Sequence, residues 1–312
     1  MDMLAAGVGW HTVSHPYPGL EPLIPADARL EHLASGTAWG EGPVCLDDGA
    51  VLWSDIPGNR VLRWHPGETT AQRPFRVALH PAHFHNGHTR DSHGRLYACS
   101  HGERAVLRSD DGGHTWVAIA THHAGRRLNS PNDVIVARDG GVWFSDPPYG
   151  LIQPLEGYGG QQEQEACRVY RVDPGTGAVE ARVTDLRWPN GLAFSPDETV
   201  LYVTDTSRTH DPAGRHHIHA YPVSGSEVGE GHVFAQVSPG MPDGIRTDEH
   251  GNLWSSSGNG VQVYAPDGRR LGVVPVPEAI GNLTFSHLEP YLYIAASSSL
   301  YRLPVSVRGA RF

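Results

Sequence analysis

Six acidic or amide side chains recur at one phase of an internal repeat in this sequence. Each opens an apolar segment that breaks at a turn and ends, eleven or twelve residues later, on an aromatic residue. A fixed internal period predicts equivalent structural units, so these opening residues are expected at equivalent points of the fold. The opening residues are Glu41, Asn86, Asn132, Asn190, Asp243 and Asn282, and the paired aromatics are Trp53, Tyr97, Trp143, Tyr202, Trp254 and Tyr293.

Four of the opening residues, Glu41, Asn132, Asn190 and Asp243, could together bind a metal ion through oxygen. Two carboxylates held close together in a partly desolvated site repel each other, and a divalent cation removes that repulsion. Carboxylate and amide oxygens favour hard cations, Ca²⁺ first, with Mg²⁺, Mn²⁺ or Zn²⁺ as alternatives. The competing interpretation is that the Asn-Gly and Asp-Gly pairs are turn formers. It does not explain Asn132, which is followed by Asp133.

The elements that must position these residues are predicted to be short β-strands. Among the 312 residues, 37 are glycine and 25 are proline, charged residues make up 19%, and no segment has a sustained helical period. Each repeat is consistent with four strands. Six such units predict an all-β fold, a six-bladed β-propeller of four-stranded blades around a central channel. The innermost strand of each blade lines that channel, so the opening residues would converge at one mouth.

The two ends of the chain are expected to close the ring. The last repeat ends near Leu303 and is one strand short, while the segment from Arg29 to Ser35 precedes the first repeat and is strand-like. We therefore predict that this N-terminal strand completes the last blade. Residues 1–25 are predicted to be an N-terminal arm and residues 26–312 a single propeller domain.

Composition argues against several classes of partner. The formal net charge of −10 gives no excess of basic residues that could bind nucleic acid. No apolar run approaches the ~20 residues of a membrane span. Cys45, Cys99 and Cys167 lack metal-like spacing and are expected to be free thiols of a reducing compartment. The first ten residues lack the features of a secretory signal, so a cytoplasmic protein is predicted. The oligomeric state stays open.

One further sequence motif, from Ser109 to Trp116, matches the pattern S-x-D-x-G-x-T-W. It resembles the Asp-box turn of sialidase-type propellers, which joins the third and fourth strands of a blade. We interpret it as a structural device distant from the channel, because the sequence lacks an evident arginine triad to accompany a sialidase activity.

Five motifs in order resemble the gluconolactonase, regucalcin (senescence marker protein) and luciferin-regenerating enzyme family, over about Gly36 to Leu303. The family fold is a six-bladed propeller with one divalent ion at the channel mouth, commonly calcium or zinc. The resemblance implies metal-ligand roles for Glu41, Asn190 and Asp243, with Asp243 also the general base. It implies a metal or substrate contact for Asn132. The motifs are Glu41-Gly-Pro, Asn129-Ser-Pro-Asn-Asp, Phe144-Ser-Asp-Pro-Pro-Tyr-Gly, Pro189-Asn-Gly-Leu and Pro242-Asp-Gly.

Candidate substrate contacts come from Asn132 and from two other parts of the chain. His85, Asn86 and His101 belong to one repeat and are all candidates to contact the substrate, with Asn86 and His101 expected to orient its hydroxyls. A neutral histidine near the mouth could hydrogen-bond a sugar hydroxyl or move a proton. Tyr149 lies in the Asp-Pro-Pro-Tyr-Gly turn, which the chain shares with microbial gluconolactonase-like family members. Regucalcin has an arginine two residues before its counterpart of Asn132, where this chain has a serine.

Together these observations predict a lactonase. The expected reaction is divalent-metal-dependent hydrolysis of a sugar-acid lactone, a small-molecule substrate, with the metal polarising the carbonyl and Asp243 as general base. One alternative is phosphotriester hydrolysis at the same site. Another is a non-catalytic propeller that binds calcium. No nucleic-acid or membrane partner is predicted.

Overall fold

The computed structural model describes residues 10–11, 19–70 and 72–310. Within these residues the strands form six antiparallel sheets, each built on four strands, and the sheets are arranged as a six-bladed β-propeller. The prediction of an all-β propeller is confirmed. In every sheet the strand that opens the repeat is paired on one side only, as expected for a strand that lines the channel.

The first three blades follow each other along the chain from residue 40 to residue 183. Blade 1 contains Gly40–Cys45, Val51–Asp55, Arg60–Trp64 and Arg76–Leu79. Blade 2 contains His85–Arg90, Leu96–Ser100, Ala105–Ser109 and Val117–Ala120. Blade 3 contains Val134–Val136, Val142–Ser145, Val169–Val172 and Val179–Val183.

The remaining blades complete the circle. Blade 4 contains Pro189–Phe194, Val200–Asp205, His217–Ser224 and His232–Gln236. Blade 5 contains Ile245–Thr247, Leu253–Ser257, Gly260–Tyr264 and Arg270–Val274. Blade 6 contains Ile280–Phe285, Tyr291–Ala296, Ser299–Pro304 and Leu30–Ser35.

An N-terminal strand closes the ring. Leu30–Ser35 pairs antiparallel with Ser299–Pro304 and becomes the fourth strand of blade 6, as predicted. Trp10–His11 pairs with the outer edge of Leu30–Ser35. The predicted arm of residues 1–25 falls partly outside the described residues. In its described part, Leu20 and Ile24 are buried in the same apolar cluster as blades 5 and 6. The domain boundary near residue 25 stays a prediction.

Aromatic residues on the second strands join neighbouring blades. Trp143 and Trp254 are 1% and 0% exposed. Trp143 packs edge-on against Phe194 of the next blade, with ring centroids 5.5 Å apart, and Trp254 packs in the same way against Phe285. Such large rings bury much apolar area and prefer edge-to-face contacts. The repeated aromatic therefore stabilises the stacking of blades, which is why it recurs at a fixed phase.

The few helical turns of the described residues occur in two insertions. Tyr149–Ile152 is a short α-helix between the second and third strands of blade 3, and Ser207–Thr209 is a 3₁₀ turn at the same place in blade 4. No helix among these residues has the length and apolar character to cross a membrane. Two short pairings, His122–His123 with Arg126–Arg127 and Glu227–Val228 with blade 4, lie outside the four-strand pattern.

The Asp-box motif, Ser109 to Trp116, forms the turn that its sequence predicts. It joins the third and fourth strands of blade 2, on the outer part of the sheet. Asp111 accepts hydrogen bonds through Oδ1 from the backbone N–H groups of His114 and Thr115, at 3.0 and 2.9 Å. Ser109 accepts from the Gly113 N–H at 2.9 Å. The residues satisfy one another within the turn, so the motif is structural.

Candidate active site and metal centre

The opening residues form an interlinked ring at one mouth of the channel. The backbone carbonyl of an opening residue accepts a hydrogen bond from the preceding blade. The donor is commonly one of the small residues that follow the aromatic of the second strand. These bonds run from Ser54 Oγ to Asn86 O (2.9 Å), from Ser145 Oγ to Asn190 O (2.6 Å), and from Thr204 Oγ1 to Asp243 O (3.1 Å). The small residues of the repeat are therefore what fixes each opening residue to its neighbour.

The glycine after an opening residue permits close approach of the inner strands. Asn190 and Gly191 lie within the strand Pro189–Phe194 and not in a turn. A Cβ atom on Gly191 would lie 2.2 Å from the carbonyl oxygen of Asp243, and one on Gly87 would lie 2.6 Å from that of Asn132. The turn-former interpretation of Asn190-Gly191 is thus wrong, because the glycine is required by packing around the axis.

A β-bulge accompanies the opening residue in several blades. The pairing of the first two strands shifts register between Glu41 and Val44, and between Pro189 and Leu192. Bulges bend a strand locally and re-aim its side chains. The shift therefore allows the opening side chain to turn toward the mouth, although the rest of the strand keeps regular pairing.

The Glu41 carboxyl is buried and is held in place by its neighbours. Its Oε2 accepts the Gly42 N–H at 2.9 Å, and Asn282 also donates to it. The pKa of Glu41 is raised to about 8, chiefly by burial and in part by the nearby charge of Asp133, against the lowering effect of these hydrogen bonds. Asn282 uses its own Oδ1 to accept the Leu283 N–H at 2.8 Å. Asn282 therefore supports Glu41 and its oxygen is already engaged.

The Asp243 carboxyl lies in the same cluster of acidic groups. Burial raises its pKa well above the ordinary value, and the charges of Glu41, Glu156 and Asp133 add to the rise. No arginine or lysine among the described residues forms an ion pair with Asp243 or Glu41, although many such pairs occur elsewhere in the fold. Because like charges in a desolvated site cannot all ionise, the cluster favours either protonation or a bound cation.

Two amides complete the predicted ligand set. Asn190 donates through Nδ2 to Asp243, and this nitrogen also lies 3.4 Å from Thr206 Oγ1. With the nitrogen so engaged, the amide oxygen of Asn190 is the atom available to a ligand. The Asn132 side chain is 5% exposed and has no hydrogen bond to any described residue.

The residues fit an all-oxygen site for a hard divalent ion. Among the described residues, no group of three or more His, Cys, Asp or Glu side chains is arranged to hold a metal ion. A site here therefore needs amide oxygens in addition to Glu41 and Asp243, and Asn132 and Asn190 can provide them. Two carboxylates and two neutral oxygens, close to the axis and without a protein cation, are suited to Ca²⁺ more than to zinc.

His101 and Tyr149, both predicted to contact substrate, lie at this mouth. His101 Nε2 is 3.2 Å from the Asn86 amide nitrogen, and burial lowers the pKa of His101 to about 4, so the ring is neutral. The Tyr149 hydroxyl is 2.6 Å from Thr206 Oγ1, and its ring packs edge-on against Trp188. Burial raises the Tyr149 pKa, and the negative charge of Asp243 adds to the rise.

His85 is not brought to the acidic cluster. Its ring packs edge-on against Trp116 at 5.1 Å and lies 3.4 Å from His88 through Nδ1. The strand has a β-bulge between His85 and His88, and such a bulge re-aims side chains locally. No described contact joins it to Glu41 or to Asn86. Its predicted contact with substrate has no support in this geometry.

The sequence interpretation missed two residues of the site. Glu156, in the insertion of blade 3, acts through its charge on both Glu41 and Asp243. Trp188 contributes an aromatic wall beside Tyr149. The insertion from Gln153 to Glu165 was visible as a polar interruption of the repeat, but nothing in the sequence indicated which of its carboxylates faces the mouth.

Comparison with known proteins identifies the family. The model of the SMP-30/gluconolactonase/LRE-like region matches residues 39–298. The chain belongs to this family. The matched region contains all six opening residues and runs from the first strand of blade 1 to the turn after the second strand of blade 6.

Individual relatives carry lactonase names. The gluconolactonase of Zymomonas mobilis is 31% identical over 94% of this chain and 85% of its own length. The pentonolactonase of Haloferax volcanii is 29% identical over 79% of this chain and 77% of its own. These names indicate lactonase activity, so the predictions of family and enzyme class are confirmed.

Solved structures show the same architecture. The Xanthomonas campestris gluconolactonase superposes with a TM-score of 0.84 at 38% identity, covering 93% of both chains. A regucalcin from Agrobacterium tumefaciens, described as a calcium-binding protein, superposes with a TM-score of 0.69 at 21% identity over 90% of this chain and 95% of its own. The second similarity supports the fold alone.

Proposed function

We propose that this protein hydrolyses a sugar-acid lactone with the help of one divalent cation. The observation that carries the proposal is a pair of carboxyls, the buried Glu41 and the half-buried Asp243, which have no ion pair with the described residues and sit in a ring of amides. The lactonase names of its relatives support the reaction class.

Glu41, Asn132, Asn190 and Asp243 are the residues that would hold the ion. When bound there, a divalent cation would polarise the lactone carbonyl as a Lewis acid. Ca²⁺ suits the oxygen ligands best, with Zn²⁺, Mn²⁺ or Mg²⁺ as alternatives. Asn132 would contact either the ion or a substrate hydroxyl, because its side chain has no other described partner.

Asp243 is assigned the proton transfers. As water attacks the carbonyl carbon, Asp243 accepts one of its protons. When the bond between the carbonyl carbon and the ring oxygen breaks, that proton passes to the ring oxygen, and a hydroxy acid is released. General-base help of this kind contributes roughly 10²–10⁴-fold to rate. The Tyr149 and Trp188 side chains form a wall that orients the ring beside Asp243.

The test is acid release from aldonolactones with and without metal. We expect the purified protein with Ca²⁺, Mn²⁺ or Zn²⁺ to accelerate acid release from glucono- or galactono-lactone above the spontaneous rate. Chelation should abolish this acceleration. Turnover of a phosphotriester without any metal-dependent lactone hydrolysis would favour the phosphotriesterase alternative. Binding of calcium with neither activity would favour the non-catalytic propeller. The cytoplasmic location stays a prediction.

A further inference from the structure

The far mouth of the channel, opposite the opening residues, contains a cavity. Its volume of about 480 Å³ lies within the ~300–1,000 Å³ that is typical of small-molecule sites. In all six blades the residue three places after the opening residue lines it, because an extended strand carries this position further along the channel. These residues are Val44, Thr89, Ile135, Ala193, Arg246 and Phe285. One position of this ring is therefore charged, and the other five are not.

Arg246 presents an unpartnered edge of its guanidinium to this cavity. The side chain is buried, with 9% of the residue exposed. Its hydrogen bonds all run from Nη1, to Ile245 O at 2.7 Å, Asp133 Oδ2 at 3.2 Å and Leu192 O at 3.3 Å. Nε and Nη2 have no partner among the described residues, and neither is fully buried. Together these two nitrogens form the edge that binds a carboxylate or a phosphate through two parallel hydrogen bonds.

The charged groups around the cavity leave it positive. Arg308 lines it, is exposed, and has no side-chain hydrogen bond or ion pair with the described residues. Asp91 is the one carboxylate among the described lining residues, and it is already engaged by Arg95 at 2.6 Å. Arg308 therefore brings a positive charge that no described carboxylate neutralises, in a protein whose formal net charge is −10.

The rest of the lining suits an organic molecule more than an inorganic ion. Val44, Ile135 and Phe285 give apolar surface around the guanidinium, and a carbon skeleton would bury that surface. The hydroxyls of Thr89 and Thr284 also line the cavity and have no hydrogen bond with the described residues. They could bind polar groups on such a skeleton. The lining thus combines one anion-binding edge with apolar and hydroxyl surface.

We propose that this cavity is a binding site for a small organic anion, whose carboxylate or phosphate group binds the Nε and Nη2 edge of Arg246 and is attracted by Arg308. The same guanidinium edge fits both head groups. The site does not depend on lactone hydrolysis, because none of its lining residues belongs to the predicted ligand set of the other mouth.

The experiment measures binding to the folded protein by isothermal titration calorimetry at low ionic strength. The probes are gluconate, glucose 6-phosphate and glucose, which share a carbon skeleton and carry a carboxylate, a phosphate and no charge. We expect at least one anion to bind with a Kd below about 1 mM and at least about tenfold more tightly than glucose. Which anion binds identifies the head group. Added salt should weaken the binding.

Two variants test whether the anion binds in this cavity. Arg246→Lys keeps a charge beside Asp133 but removes the two-nitrogen edge, so it should raise Kd at least about tenfold. Arg308→Gln should raise Kd about threefold or more, because it removes an exposed charge near the anion. The matched control is Arg269→Gln, which makes the same charge change at an exposed residue outside the lining and should leave Kd unchanged.

Binding of neither anion up to about 10 mM, or equal binding of glucose, would overturn the site. An unchanged Kd in both Arg246→Lys and Arg308→Gln would also overturn it, because the anion would then bind elsewhere. If Arg246→Lys does not fold, the exposed position Arg308 decides alone. Loss of the proposed lactone hydrolysis would leave this site intact, since binding and hydrolysis are measured separately.

Discussion

Carboxylates at the two mouths of the channel have pKa values that are shifted in opposite directions. At the mouth of the opening residues, Glu41 is buried and Asp243 is half-buried, neither has an ion-pair partner among the described residues, and their pKa values are raised. Toward the other mouth, Asp91 receives the Arg95 guanidinium at 2.6 Å and the Tyr97 hydroxyl at 3.1 Å, and its pKa is lowered. The same residue type thus meets two different electrostatic environments in one channel.

The far mouth also contains the cavity that is proposed to bind an organic anion. It has a volume of about 480 Å³ and is lined in part by Arg90, Arg246 and Arg308. Arg246 pairs with Asp133 at 3.2 Å, inside the channel. Carboxylate charge is therefore balanced within the protein at this end. At the other end Glu41 and Asp243 have no ion-pair partner among the described residues, and uncompensated charge of this kind is typical of functional sites.

The largest expected effect is a loss of activity, which a substitution at the acidic mouth should cause and a substitution at the far mouth should not. Asp243→Asn should lower kcat/KM for a lactone by roughly 10³-fold or more, because it removes the general base and weakens the ion site. Asp91→Asn should cost about 1–2 kcal/mol of stability and leave kcat/KM of the folded protein within about twofold. Initial rates and circular dichroism on both variants provide the measurement. Retained turnover in Asp243→Asn would remove that residue from its assigned role.

A second prediction concerns the ion pair between the two mouths. Arg246→Met leaves Asp133 buried without its cation and should lower the free energy of unfolding by about 3–5 kcal/mol in urea denaturation. The double variant Asp133→Asn with Arg246→Met should recover at least about 1 kcal/mol of that loss, because the stranded charge is gone. A loss below about 1 kcal/mol in the single variant would show that the pair does not compensate a buried charge.

The smallest effect is a pH dependence confined to the acidic mouth. The folded pKa of Glu41, about 8, exceeds its ordinary value of 4.5, so the metal-free folded state binds a proton more tightly than the unfolded chain. Stability should therefore fall as pH rises from about 5 to about 8, by a few degrees in Tm. Saturating Ca²⁺ should remove the slope, and Glu41→Gln should reduce it and leave the contribution of Asp243, whose pKa is also raised. A Tm that rises over this interval without metal would contradict the assignment.

The repeat determined most of the fold in advance. Its fixed phase predicted six blades, the convergence of the opening residues and closure by Leu30–Ser35, because equivalent sequence units must bury equivalent faces. The small residues after each aromatic were visible as a pattern, but their hydrogen bonds to the next blade were not. The glycine of Asn190-Gly191 suggested a turn. Only the structure revealed a packing requirement, because a Cβ on Gly191 would lie 2.2 Å from the carbonyl oxygen of Asp243.

The sequence by itself therefore determined the residue types at the mouth and the ring that gathers them, since both follow from local period and composition. Only the tertiary structure decided which side chains face one another. In the folded chain, His85 packs against Trp116, and the Asn282 side-chain oxygen accepts a hydrogen bond from the next residue of its own strand. The charge of Glu156, which lies in an irregular insertion, acts on the acidic cluster. Insertions have no period to relate them to the ring, and the direction of a side chain depends on packing between distant blades.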